Sequence, residues 1–126
     1  MPAKIYITSF LDFPMKKFIV IYYASANFDE MGKNMSQEDH KKGMEKWMQW
    51  AEKCGSGLVD MGAPLGTAQK IKGSISMPSD KNVVGYSVLQ AESMEDAQEM
   101  MKNHPHFELD QSCEIEVYEC MPLPGQ

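Results

Sequence analysis

The chain has 126 residues, 43% hydrophobic and 24% charged, which suits one globular domain and hardly two. Its formal charge of −6 argues against a general nucleic-acid binder, which needs a basic face to release counterions. No stretch approaches the ~20 apolar residues of a membrane span, so neither nucleic acid nor a membrane is an expected partner.

Residues 1–14 read as an N-terminal extension of uncertain structure, because Asp12 and Pro14 interrupt the short apolar run before them. The first strand of the repeated pattern, about 16–23, is apolar at consecutive positions and so predicts burial on both faces. Lys16-Lys17, the apolar run and Ala24-Ser25-Ala26 imitate a secretory signal with its cleavage site. Cleavage there would remove a strand that the fold needs, so a cytoplasmic protein is expected. Three unpatterned cysteines, Cys54, Cys113 and Cys120, agree with reduced thiols. Residues 24–35 read as a polar loop.

A helix then opens at Ser36, with Asp39 three residues on as in a capping box. Its predicted apolar face is Met44, Trp47, Met48 and Ala51, widened by Trp50 and Cys54. Lys41, Lys42, Lys46 and Lys53 on the same helix read as a solvated face. Gly43 inside it costs about 1 kcal/mol relative to Ala, which close packing or a bound ligand would explain, close packing being preferred. Gly55 and Gly57 stop the helix. A second strand follows at 57–61. Residues 67–77 alternate loosely and predict an edge strand of a hairpin guarded by lysines. A third strand covers 83–91. A second helix opens at Ser93 with Asp96 after it, carries Met94, Ala97, Met100 and Met101 on one stripe, and ends at Asn103-His104-Pro105. A last strand covers 113–120, and residues 122–126 form a loose tail.

The strand–helix–strand pattern thus occurs twice within about 15–121. This is the split βαβ plan called ferredoxin-like: an α+β fold with an antiparallel sheet and two helices on one face. The other face of such a sheet needs a cover, and a second copy of the chain is the simplest one, so a homodimer is expected.

Several spaced segments resemble the YCII-related domain family: Val84 to Ala97 (VGYSVLQAESMEDA), His104-Pro-His-Phe107, Ile115-Glu-Val117, Lys16 to Tyr23 (KKFIVIYY) and Gly57 to Gly62 (GLVDMG). The likeness is strongest to the branch named for an Asp-Gly-Pro-Phe signature. It implies a dimeric α+β barrel with two sheets facing each other and a cleft in each protomer. The wider dimeric barrel group includes small-molecule oxygenases, isomerases and dehalogenase-like proteins, so the scaffold leaves the reaction open. The chain departs from the family in two places. The signature is replaced by roughly Met77-Pro-Ser-Asp80. The helix histidine of the YCII branch, thought to pair with an aspartate, falls near Gly43 or Met44, with His40 one turn earlier.

His104-Pro105-His106 is the densest titratable cluster, and histidine suits acid–base work near neutral pH. Asp60, at the end of the second strand, could orient an imidazole, so Asp60 and His104 are the candidate catalytic pair. A histidine at a helix C-terminus is also favoured by the dipole without any function. Tyr22, His40, Trp47, Tyr86 and His106 are the candidate ligand contacts, aromatics with a polar handle being common in clefts. No paired metal motif, glycine-rich phosphate loop or nucleophile elbow is present, so no metal or cofactor is expected. The residues therefore predict a cleft for an unknown small organic ligand, with weak acid–base catalysis. The alternative is a non-catalytic ligand-sensing or protein-interaction module.

Overall fold

A computed structural model describes residues 15–25 and 28–124, and the N-terminal extension expected at 1–14 lies outside them. The elements in chain order are β1 (Lys16–Tyr23), α1 (Phe28–Lys33), α2 (Gln37–Cys54), β2 (Leu58–Pro64), β3 (Gln69–Lys72), β4 (Ile75–Pro78), β5 (Val83–Ala91), α3 (Met94–Met100) and β6 (Glu114–Glu119). Short 3₁₀ turns cover Gly55–Gly57 and Pro105–Glu108.

Four strands form one antiparallel sheet in the order β2-β5-β1-β6. Both βαβ halves contribute one central and one edge strand, as in a ferredoxin-like α+β fold. Strand alternation decides what each face carries. Phe18, Val20 and Tyr22 on β1 pair with Leu89, Ser87 and Gly85 on β5, and these six residues lie buried under the helices. Trp50 of α2, Ala97 of α3 and Met101 close the core above them. The Trp50 indole Nε1–H donates to Met100 O at 2.9 Å and ties α2 to the end of α3.

The opposite face carries Ile19, Ile21, Tyr23 and Val88, which are only half-buried. The consecutive apolar run of β1 predicted burial on both faces, and within one chain only the helix face has it. Tyr23 Oη–H donates to Glu116 Oε1 at 2.8 Å on that open face, and the Tyr118 hydroxyl donates to the same oxygen. These bonds hold the Glu116 carboxyl below its usual range and raise both phenols.

Both predicted serine caps form. Ser36 Oγ accepts from Asp39 N and Ser93 Oγ from Asp96 N, each satisfying a helix-end donor. Gly55 ends α2 in the left-handed region, its N–H donating to Ala51 O and Glu52 O. Three expectations need correction. Part of the loop expected at 24–35 is the short helix α1. The segment at 67–77, expected as one edge strand of a hairpin, holds a hairpin of two strands, β3 and β4, which pair with each other as a separate sheet. The inward stripe of α2 is the buried Trp50 with the half-buried Gly43, Trp47 and Cys54, while Met44 and Met48 are 57% and 53% exposed. The helix is rotated because Trp47 and Trp50 fit over Tyr22 and the core better than two flexible methionines.

Gly62 shapes the end of β2. Its φ of +82° lies in the left-handed region, and a Cβ there would collide with the Tyr86 carbonyl oxygen. The β2–β5 register shifts on either side of Asp60, so this bulged segment is where β2 turns away from the ladder.

Candidate functional site: a buried histidine hub beside an apolar cleft

After α3 the chain turns at Asn103, whose φ of 57° is left-handed, and delivers His104 into the core with no exposed surface. His104 Nδ1 accepts the backbone N–H of His106 at 2.9 Å, so that nitrogen carries no proton. The ring proton therefore sits on Nε2, which lies 3.3 Å from Tyr22 Oη. Tyr22 Oη lies 2.8 Å from Ser87 Oγ, and Ser87 donates to the Met61 carbonyl at 2.7 Å. Each hydroxyl has one proton, so the chain of donors has one direction: His104 to Tyr22, Tyr22 to Ser87, Ser87 to Met61 O. It links the 3₁₀ turn, β1, β5 and β2. Trp50 and Trp47 pack edge-on against the His104 ring, at centroid distances of 4.3 and 4.6 Å.

The electrostatics follow from this burial. Desolvation, with a smaller contribution from neighbouring His106, pushes the His104 pKa down to about 3. A second proton would also have to sit on Nδ1, facing the His106 N–H. Burial raises the Tyr22 phenol to about 12, against the opposing pull of the Ser87 hydrogen bond. Burial also lowers His106, whose ring is bonded by backbone groups of Tyr23 and Glu114 that pull the other way. His106 Nε2–H donates to Tyr23 O at 2.8 Å.

Beside the hub lies a cleft of about 380 Å³ between α2, the α1 end and the β2–β5 end of the sheet. Met35, Met44, Trp47, Met61, Val84 and Leu109 give it apolar walls, and among the described residues no Lys, Arg, Asp or Glu lines it. Tyr22, His40, Trp47, Tyr86 and His106, the expected ligand contacts, all lie on its boundary. The expected catalytic pair does not. His104 is beneath the wall, and Asp60 is exposed, its Oδ1 accepting from Gly62 N at 2.8 Å to brace the bulge. His40 is exposed at the rim, and its Nε2–H donates to Gly32 O at 2.8 Å, tying α2 to α1.

Gly43 lines the cleft, and a Cβ built on it meets nothing within 4 Å. Close packing therefore does not explain this mid-helix glycine; open cleft space surrounds it. Ser87 was missed by sequence reasoning. Its signal is a hydroxyl at a buried alternation position of a central strand, between Gly85 and Leu89.

Among the described residues, no group of three or more His, Cys, Asp or Glu side chains could hold a metal ion. No helix formed by them is long and apolar enough to cross a membrane. Compared with known proteins, the chain matches no family model and no curated protein sequence.

The hub makes two predictions. Between about pH 4.5 and 6.5 the unfolded His104 binds a proton that the folded residue refuses, so stability should fall by roughly 1.4 kcal/mol per pH unit below 6.5. Urea unfolding across that window reads it, and a flat profile would contradict it. His104→Ala should cost about 3 kcal/mol by emptying the ring's place in the core and removing both the donor to Tyr22 Oη and the acceptor of the His106 N–H, whereas Asp60→Ala should cost under about 1 kcal/mol. The same unfolding curves compare the two.

Proposed function

We propose that this chain is a YCII-related, cytoplasmic homodimer of the α+β barrel type that binds a small, uncharged, largely apolar organic molecule in the cleft of each protomer. One observation carries the reading. Gly43 weakens the longest helix by about 1 kcal/mol and, among the described residues, packs against nothing and borders a cleft lined by no charged side chain. An anionic or cationic ligand would find no counter-charge there.

The role proposed is binding rather than catalysis by Asp60 and His104. The aspartate braces a turn, and the imidazole has both nitrogens engaged in the core. The dimer is supported by the open face of the sheet, where Ile19, Ile21 and Val88 form an apolar strip beside the Tyr23–Glu116–Tyr118 cluster. Cytoplasmic location is supported by the cysteines, which are free at 54, 113 and 120.

Calorimetric titration with the neutral probe 3-methylindole tests the cleft. The wild-type protein should take up one probe per protomer and the Gly43→Leu variant none, while Gly43→Ala should raise stability by about 1 kcal/mol. Binding that survives Gly43→Leu would count against the reading. Sedimentation velocity tests the dimer: wild type should sediment as a dimer and Ile21→Glu as a monomer, since the substitution buries a charge at a sheet-to-sheet contact.

A further inference from the structure

The polar atoms around the cleft differ in what they have left to offer a ligand. Tyr22 Oη accepts from His104 and donates to Ser87. His106 Nε2–H is held by Tyr23 O. Tyr86 follows Gly85, which faces Tyr22, so strand alternation sends its side chain to the other face of the sheet. His40 stands apart. Its Nε2 lies 2.8 Å from Gly32 O, and a carbonyl oxygen can only accept, so Nε2 carries the proton. In the neutral ring Nδ1 is then bare and accepts hydrogen bonds, and it has no partner among the described residues. The bond to Gly32 fixes both the tautomer and the ring orientation, a form of preorganisation that leaves less freedom to lose on binding.

We infer that His40 Nδ1 is the ligand-orienting group of the cleft: a preoriented hydrogen-bond acceptor at the rim of apolar walls. It selects uncharged, mainly aromatic or aliphatic molecules that carry one N–H or O–H donor. This inference rests on the cleft being a binding site, and it adds the residue and the ligand group that meet there. The donor of the ligand points to the rim at His40, and its apolar body fills the space left open by Gly43 against Trp47.

A pair of isomers separates the two ideas. 3-Methylindole and 1-methylindole have the same atoms and nearly the same shape, but only the first has an N–H. Calorimetric titration of the full chain should show the wild type binding 3-methylindole about fivefold more tightly than 1-methylindole, the worth of one neutral hydrogen bond. In His40→Phe the two affinities should become equal. His40 is exposed, so this variant keeps its core, and a wild-type far-ultraviolet spectrum with an unchanged melting temperature for the hub confirms it. Equal affinities in the wild type, or a preference that persists in His40→Phe, would overturn the role of His40 and leave the cleft reading standing. No binding of either isomer, or binding that Gly43→Leu does not remove, would overturn both.

Discussion

The hydrogen bond from the His106 amide to His104 Nδ1 sets the state of everything around it. Burial keeps His104 neutral, and this bond fixes its proton on Nε2. That proton orders Tyr22, which orders Ser87, which reaches the backbone of β2. A fully satisfied buried network of this kind is cooperative and specifies one arrangement, whereas a half-satisfied one would cost more than an apolar core. Among the described residues, no buried side-chain nitrogen or oxygen is left without a partner. The hub also joins elements that the sheet alone does not join, because the 3₁₀ turn after α3 reaches it through the side chains and not through the ladder.

The cleft inherits its character from the hub. Tyr22 and His106 stand on its wall, but their polar atoms are engaged by Ser87, His104 and the Tyr23 carbonyl. What they present to the cleft is ring surface. Trp47 serves both sides, packing on Tyr22 with centroids 5.2 Å apart and on His104 while lining the cleft. Stability and cleft shape are therefore coupled through one aromatic cluster. A substitution that loosens the hub should also deform the cleft, so loss of binding in His104 variants would not by itself make His104 a ligand contact.

Much of the fold could be read from local chemistry. The serine caps at Ser36 and Ser93, the glycine stop at Gly55 and the span of β5 all rest on residues adjacent in sequence, where propensity and capping decide the outcome. The rotation of α2 could not be read the same way. Met44 and Met48 satisfy helical periodicity as well as Trp47 and Trp50 do, and only the position of Tyr22 on the sheet below selects between them. The hub was hidden for a related reason: its partners lie 65 and 82 residues apart, and no local pattern brings Tyr22 to Ser87 or His104. The histidine cluster was visible as a cluster, but whether it faces a cleft or the core depends on the left-handed turn at Asn103. Asp60 looked available because strand ends often carry functional groups, yet the bulge at Gly62 uses its carboxylate locally.

The most direct test is two-dimensional ¹H–¹⁵N correlation of the histidine rings, recorded from neutral pH down to about pH 4.5. If the hub is as described, one ring keeps a bare Nδ1 and a protonated Nε2 over the whole range, and the His104→Ala variant lacks its signals. A His104 ring that instead titrates near the ordinary histidine value of 6.5 would contradict the account, because the hydrogen bond on which the core and the apolar cleft both depend would then be absent.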